Sequence, residues 1–175
     1  TQFRCAVTGK NGDVIYSESV KVTQEVKARI TMNLKTGGSP DDTITVKVDR
    51  YTFDGVYMGG FEDETVISNA KPLYVAFDTS PGKYVITVSK PQCVTRVYEV
   101  NVDKKDVNLD VNITVPYDVN MDGVINVVDA TLVQKYIVGF EKFDDYTLKI
   151  ADTNGDGTIS VVDATNIQKK IVNLL

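Results

Sequence analysis

Apolar and polar residues alternate with a period of two from residue 26 to residue 115, which predicts β-strands rather than helices. Val, Ile, Thr and Tyr are frequent in these stretches, as is typical of strands. Turn residues such as Ser80-Pro81-Gly82 separate them. The predicted strands are 26–34, 43–53, 64–67, 73–77, 83–89, 94–102 and 106–115. Many short strands at this spacing predict a β-sandwich over residues 24–115.

The first 23 residues predict a strand hairpin. Strands over 2–8 and 14–22 are joined by Lys10-Asn11-Gly12-Asp13, whose Asn-Gly pair is a strong hairpin signal. The Phe-Arg-Cys run followed by a hairpin resembles the last strands of an immunoglobulin-like domain. Residues 1–23 are therefore either the tail of a preceding domain or part of the module that follows, and both possibilities stay open.

After Pro116 the pattern changes from strands to loops and helices. The loop Asp118–Asp129 returns as Asp152–Asp163, 34 residues later, and 14 of the 22 aligned positions from residue 118 onward are identical. Helices are predicted over 127–138 and 161–172, with a short connecting helix within 143–150. Apolar residues spaced four apart predict the helix core at Val133, Ile137, Ile167 and Ile171.

Both loops match the calcium-loop spacing D-x-[DN]-x-[DN]-G, with Asp instead of Glu at the twelfth position. Ca²⁺ takes six to eight oxygen ligands, several of them carboxylates, on a tightly curled loop. The spacing predicts two Ca²⁺ ions, held by Asp118, Asn120, Asp122, the Val124 carbonyl and Asp129, and by Asp152, Asn154, Asp156, Thr158 and Asp163. Position nine, Asn126 or Ser160, would act through water.

A simpler interpretation treats each loop as a plain turn followed by a helix cap. Asn126-x-x-Asp129 and Ser160-x-x-Asp163 both match the capping pattern. Two complete matches in register favour metal binding, and capping and ligation are compatible. Residues 116–175 carry nine acidic residues and five lysines, a net charge of −4 that two Ca²⁺ would neutralise. We therefore expect this half of the chain to fold with calcium.

An ordinary calcium hand has a helix before each loop, but the segment ending at Pro116 has a strand pattern instead. Two loop–helix repeats, each opening its helix with Val-Val-Asp-Ala-Thr, resemble the type I dockerin family over residues 116–175. The resemblance implies a non-catalytic, all-α, calcium-dependent domain. It would bind a cohesin module of a scaffolding protein in an extracellular polysaccharide-degrading complex, a cellulosome.

The strand module that precedes the repeats resembles the X modules that accompany some dockerins. Its segment from Ser80 to Lys90, continuing through Tyr98–Val102, resembles carboxypeptidase-regulatory-like sandwich modules. The fold class predicted for the whole chain is therefore a β-sandwich followed by a small all-α domain with two calcium loop–helix repeats. Almost no linker separates the two, so we expect them to keep a fixed relation.

A stripe of residues with the same identities on both helices predicts the partner surface. With the valines at its edge it comprises Val127, Val128, Thr131, Gln134, Lys135 and Val138, and Val161, Val162, Thr165, Gln168, Lys169 and Val172. Known dockerins often contact cohesin through positions 10, 11, 17, 18 and 22 of each repeat. This sequence has Val-Val in place of the usual Ser-Thr pair at 10 and 11 and lacks the basic residue at 22, which favours a cohesin with an apolar patch. The alternative for these valines is core packing.

A second stripe differs between the copies and predicts an internal contact on the first copy only. Leu132, Tyr136 and Gly139 correspond to Asn166, Lys170 and Asn173. The candidates to pack against the first set are Phe140, Phe143 and Tyr146 of the connecting segment, and the strand module.

Composition excludes several functions. The chain has no histidine, which rules out Ser-His-Asp, Cys-His and His-metal sites, and no other constellation supports an enzyme. It is acidic, without a basic stripe for nucleic acid, and has no apolar run that would span a membrane. Cys5 and Cys93 either pair or are two separate buried thiols.

Two other functions compete with cohesin binding. A carbohydrate-binding sandwich would use Tyr51, Phe53, Tyr57 and Phe61, but the chain has no Trp for a flat sugar platform. A calcium sensor would need a methionine-rich groove, and the chain has three methionines in all.

Overall fold

The computed structural model describes residues 2–21, 27–67 and 73–175, and within them strands come first and helices last. The strands are β1 (Gln2–Phe3), β2 (Ala6–Thr8), β3 (Val14–Tyr16), β4 (Val20–Lys21), β5 (Ala28–Thr36), β6 (Thr43–Tyr51), β7 (Tyr57–Ile67), β8 (Tyr74–Thr79), β9 (Gly82–Ser89), β10 (Arg96–Val102) and β11 (Val107–Ile113). The helices are α1 (Val127–Ile137), α2 (Asp145–Ala151) and α3 (Val161–Ile171). A mostly β region followed by a helical region is therefore confirmed.

Two sheets hold the core of the strand region. One has the order β10-β9-β6-β7 with antiparallel neighbours, and the other has the order β11-β5-β8. In the second sheet β8 is antiparallel to β5, whereas β11 is parallel to it. Alternate residues of β5 and β9 are buried, which is the period of two that the sequence shows. Ile30 and Ile86, from the two different sheets, are fully buried in the same core.

The strand β7 is longer than the sequence predicts, because Gly59-Gly60 lies within it rather than at a turn. A side chain on Gly60 would collide with the Val48 carbonyl oxygen of the neighbouring strand β6. The glycine therefore lets the two backbones approach closely, which explains why a glycine lies inside this strand. The other strand boundaries differ from the predicted ones by a few residues. Residues 26 and 22, at the ends of two predicted strands, lie outside the described residues.

The predicted hairpin near the amino terminus is present. Ala6 pairs with Tyr16 and Thr8 with Val14 on either side of the Asn-Gly turn. Strands β1 and β4 form a second two-stranded sheet, so the predicted strand 2–8 is interrupted. Within the described residues, the two cysteines are free thiols, and the prediction that both are buried is wrong because Cys5 is exposed. Partial burial raises the pKa of the Cys93 thiol.

Polar contacts join the strand region to α2. The Tyr146 hydroxyl donates to the Val94 carbonyl oxygen at 2.8 Å and accepts from the Thr114 N–H at 3.0 Å. The Arg96 guanidinium lies 4.5 Å from the Tyr146 ring centroid and forms a 3.4 Å ion pair with Asp144, at the start of α2. Burial raises the pKa of Tyr146 to about 12, so its hydroxyl keeps the proton that it donates.

We expect Tyr146→Phe to lower the free energy of unfolding by about 1–3 kcal/mol, because it leaves the buried Thr114 N–H and the Val94 carbonyl without this partner. Urea denaturation followed by circular dichroism measures the change. Tyr74→Phe is the matched control, since Tyr74 is exposed and its hydroxyl should contribute little. Equal stability of the two variants would contradict a stabilising role for the Tyr146 hydroxyl.

Candidate metal centre and helix surface

The two candidate calcium loops have nearly the same hydrogen bonds at their first position. Asp118 accepts from the Asp122 N–H at 3.2 Å and from the Gly123 N–H at 3.0 Å. Asp152 accepts from the Asp156 N–H at 3.2 Å and from the Gly157 N–H at 2.9 Å. Each loop therefore curls around the carboxylate of its first residue.

Glycine at the sixth position is required by the backbone of each loop. Gly123 has φ +92° and Gly157 has φ +82°, in the left-handed region where a side chain would be strained. The sharp turn at this point brings the first and fifth residues together, as a calcium loop needs.

The aspartate at the twelfth position joins each loop to the helix that follows. Asp129 accepts from the N–H of Asn126 at 2.9 Å and, through its other oxygen, from the N–H of Asn120 at 3.1 Å. Asp163 accepts from the N–H of Ser160 and of Thr153, both at 2.9 Å. Both helices begin with a capping box, so the predicted caps at Asn126 and Ser160 are confirmed.

Three of the loop carboxylates, those of Asp118, Asp129 and Asp163, are completely buried. A buried carboxylate is costly unless hydrogen bonds and an opposite charge compensate it. Main-chain N–H groups supply hydrogen bonds, but none of the ion pairs in the described ranges involves a loop carboxylate. A divalent cation would supply the missing opposite charge.

The neutral ligands complete a donor set that suits Ca²⁺. The Asn120 and Asn154 carboxamides each donate to the aspartate two residues later at 2.7 Å, so they lie beside the carboxylates. Hydrogen bonds from Thr158 and then from Asn154 lower the pKa of Asp156, which keeps it ionised.

Carboxylates alone do not form the site. In the described part of the chain, no three His, Cys, Asp or Glu side chains gather into a metal cluster by themselves. Each predicted set adds an asparagine and a seventh-position residue to its aspartates, and all of these have oxygen atoms that could coordinate an ion. Such a mixed oxygen shell is what Ca²⁺ prefers, so the residues present fit the ion.

The predicted helix core is half correct. Val133 and Ile167 are fully buried, whereas Ile137 and Ile171 are each 37% exposed. The last two lie at the final residue of α1 and of α3, beyond the region where the helices are covered. Tyr146 of α2, one of the candidates from the connecting segment, joins this core, as does Ile150, which the sequence analysis did not single out.

The residues of the predicted partner surface are all exposed on both helices. Val127 and Val161, the first helical residues, are 64% and 67% exposed, so core packing is the wrong interpretation for them. The Thr131 hydroxyl donates to the Val127 carbonyl at 2.8 Å, and Thr165 makes the same bond to Val161 at 2.8 Å. The two helices thus present matching surfaces in matching conformations.

The stripe that differs between the copies is used inside the molecule. The rings of Tyr136 and Phe143 stack with centroids 4.6 Å apart and an angle of 12° between their planes. At the equivalent of Leu132, the Asn166 side chain donates instead to the Thr153 hydroxyl at 3.1 Å. Contact with the connecting segment is therefore confirmed for Phe143. It is wrong for Phe140, which is 84% exposed.

The aromatic residues considered for sugar binding lie around β6 and β7. Phe53, Tyr57 and Phe61 are exposed, and Tyr51 packs edge-on against Tyr57 at 5.4 Å. Phe61 packs edge-on against Phe77 at 5.0 Å, and both line a cavity of about 470 Å³.

The sequence reasoning did not single out Thr114. It is buried, and its hydroxyl donates to the carboxylate of Asp118. Its position four residues before the first loop aspartate is the only signal in the sequence, and the equivalent position before the second loop is Leu148.

Residues 116–172 match the family model described as "Dockerin type I domain". Among solved structures, the chain is similar to the Bacillus anthracis TIE protein, at 12% identity and a TM-score of 0.34, covering 63% of this chain and 23% of that one. The chain therefore spans less than a quarter of the TIE protein.

The chain is also similar to two mutants of a type II cohesin–X–dockerin complex from Acetivibrio cellulolyticus. The C-terminal interface mutant matches at 18% identity with a TM-score of 0.34, and the N-terminal interface mutant at 20% with a TM-score of 0.31. Each match covers 81% of this chain and 94% of the other. No curated protein matches the chain. Across the described ranges, no helix is long and apolar enough to cross a membrane.

Substitution of the aspartates at position twelve distinguishes a helix-capping role from a metal-binding role. In excess chelator we expect Asp129→Ala and Asp163→Ala each to lower the free energy of unfolding by about 1 kcal/mol, because a helix cap is lost. In excess calcium the loss should be larger if the same carboxylate also completes the ion's ligands. Urea unfolding under both conditions measures the difference. Asp145→Ala, in the exposed first turn of α2, is the control. Equal losses of unfolding free energy with and without calcium would show that these aspartates only cap the helices.

Proposed function

Residues 116–172 form a type I dockerin domain, and from this premise we propose that the chain binds a cohesin module of a scaffolding protein when calcium is present. The dockerin is a non-catalytic module, and type I dockerins generally bind calcium. Binding would anchor the parent protein in an extracellular polysaccharide-degrading complex. The observation that carries the proposal is the duplication: two similarly bonded loops lead into two helices that expose the same residues.

Two Ca²⁺ ions, one in each loop, would have a structural role. Ligands from Asp118 and its partners in the first loop, and from Asp152 and its partners in the second, would surround the ions with oxygen. Each ion would neutralise the buried carboxylates and fix where α1 and α3 begin. The helix surfaces would then be held in place for recognition. Because the ion would bind the folded loops more tightly than the unfolded chain, calcium binding and folding of this domain would be linked.

The partner surface would be the exposed stripe on each helix. Its apolar part begins at Val127 and Val128 on α1, and at Val161 and Val162 on α3, with glutamine and lysine beyond. An apolar centre with a polar rim is the usual arrangement of a protein interface. Both stripes have the same residues. Rotation of the dockerin by about half a turn would therefore place α3 where α1 had been, with the same side chains facing the partner. Cohesin would then be bound in either of two orientations.

The strand region would support the dockerin. We place the module at residues 24–115, with its two sheets packed as a β-sandwich of the X-module type. The contacts of Tyr146 and Arg96 across the junction favour a fixed relation between the two parts. Residues 1–23 are assigned either to this module or to the end of a preceding immunoglobulin-like domain.

A carbohydrate-binding role for the sandwich is the second candidate. The exposed aromatic side chains of Phe53, Tyr57 and Phe61 favour it, since aromatic faces bind sugar rings. The absence of Trp from the sequence disfavours it.

Calorimetry with a panel of cohesin modules tests the main proposal. We expect tight binding by at least one cohesin in excess calcium and no measurable binding in excess chelator, because the helix surfaces depend on the ions. Polysaccharides injected into the same protein test the second candidate. Tight cohesin binding that persists in chelator would overturn the calcium requirement. Failure of every cohesin in calcium, together with heat on injecting a polysaccharide, would favour the second candidate.

The two-orientation model predicts an unusual mutational result. Lys135→Glu alone and Lys169→Glu alone should each reduce cohesin affinity only about twofold, because the other orientation remains available. The double variant should lose about tenfold or more, since both surfaces then carry a repulsive charge. Calorimetry measures all three, with Lys142→Glu, an exposed lysine outside both stripes, as the control. A single variant that abolishes binding would show that only one orientation is used.

A further inference from the structure

Thr114, immediately after the last strand, is held by three hydrogen bonds. Its N–H donates to the Tyr146 hydroxyl at 3.0 Å, and its carbonyl oxygen accepts from the Val94 N–H at 2.8 Å. Its hydroxyl donates to the carboxylate of Asp118, the first residue of the first loop. Only 1% of Thr114 is exposed. Both main-chain bonds depend on Val94 and Tyr146 being in place, so the position of Thr114 depends on the folded junction.

The strand region also leaves space for this side chain. A Cβ added to Gly37 would lie 2.6 Å from the Thr114 hydroxyl oxygen and 3.3 Å from its Cα. Gly37 further donates its N–H to the carbonyl of Ile113 at 2.9 Å, the residue just before Thr114. The absence of a side chain at Gly37 therefore allows Thr114 to lie against the loop after β5.

The bond to Thr114 orients Asp118. One carboxylate oxygen, Oδ2, accepts from both Thr114 and the Gly123 N–H, while Oδ1 accepts from the Asp122 N–H. A carboxylate oxygen has about two lone pairs, so Oδ2 is fully used and Oδ1 keeps capacity for another partner. A residue that does not touch the metal but hydrogen-bonds one of its ligands sets the orientation of that ligand and raises the affinity for the metal.

In the part of the chain that the structure describes, the second loop has no equivalent of this bond. Leu148 occupies the position that corresponds to Thr114, and its side chain has no hydrogen-bond donor. Asp152 is partly exposed, whereas Asp118 is completely buried. Among the described residues, Asp152 accepts only from main-chain N–H groups of its own loop, those of Gly155, Asp156 and Gly157. The two loops thus differ in their dependence on residues outside the repeat.

We propose that Thr114 is a positioning residue that orients Asp118 for calcium, so that the first loop's affinity depends on the folded strand region while the second loop's does not. The inference rests on the proposed calcium binding and adds that the calcium affinities of the two loops depend on different parts of the chain. Because linkage is reciprocal, calcium in the first loop would also stabilise the junction around Thr114.

Nuclear magnetic resonance of the full chain can follow each loop separately. The N–H groups of Gly123 and Gly157 donate to the first aspartate of their own loops, so each reports calcium binding in that loop. In a calcium titration of Thr114→Val, we expect the midpoint at Gly123 to rise roughly tenfold or more, as is typical when a metal ligand loses its supporting partner. The midpoint at Gly157 should stay within about twofold of the wild-type value.

Three further variants separate positioning from general damage. Thr114→Ser keeps the hydroxyl and should retain the wild-type midpoint at Gly123. Thr43→Val, at an exposed strand threonine, should change neither midpoint. Tyr146→Phe removes the acceptor for the Thr114 N–H but leaves the hydroxyl of Thr114, and should raise the Gly123 midpoint by a smaller factor. If Thr114→Val does not fold, the Gly123 midpoint of Tyr146→Phe still tests whether Thr114 orients Asp118.

The outcomes distinguish this inference from the function on which it rests. A selective change at Gly123 in Thr114→Val, with rescue by serine, supports it. Equal changes at both glycines, or none at either, would overturn it while calcium binding stands. An unchanged Gly123 midpoint in a folded Tyr146→Phe chain would overturn it if the valine variant is unfolded. If neither glycine responds to calcium in the wild-type chain, the proposed calcium function fails and this inference fails with it.

Discussion

The helical region depends on buried carboxylates whose charge must be compensated. Asp118, Asp129 and Asp163 are completely buried, and their partners are main-chain N–H groups and hydroxyls rather than basic side chains. Hydrogen bonds offset part of the cost of removing a charge from water, and a cation can offset the rest. Two of these carboxylates, Asp129 and Asp163, also belong to the capping boxes of α1 and α3, so there the electrostatic requirement and the start of the helix are inseparable.

This arrangement sets the positions of the exposed residues at the start of both helices. Each loop ends where its helix begins, and the first helical residues Val127 and Val161 therefore emerge at equivalent places on the surface. Apolar residues at such exposed positions cost solubility without adding to the core, which is typical of a surface used for binding. The differing stripe shows the opposite behaviour, because Tyr136 is partly covered by Phe143 where its counterpart Lys170 is exposed.

The junction makes the two regions more than neighbours in sequence. Tyr146 belongs to the connecting helix, yet both hydrogen bonds of its hydroxyl are made to residues of the strand region. Thr114 belongs to the strand region, yet its hydroxyl bonds to the first loop. Each region thus supplies groups that complete the other. These contacts break the symmetry of the duplicated repeat, since within residues 2–21, 27–67 and 73–175 the second loop has no such neighbour.

The sequence by itself determined the strand region, the three helices, the capping boxes and the equivalence of the two helix surfaces. These depend on local spacing: a period of two, a period near 3.6, and a loop motif repeated 34 residues later. Tertiary structure decided what local spacing does not encode. It left Ile137 and Ile171 exposed and extended β7 through Gly59-Gly60. It also held Thr114 by contacts with Val94 and Tyr146, so that its hydroxyl reaches Asp118. Each of these results depends on which distant segment lies alongside, and a pattern within one segment carries no information about that neighbour.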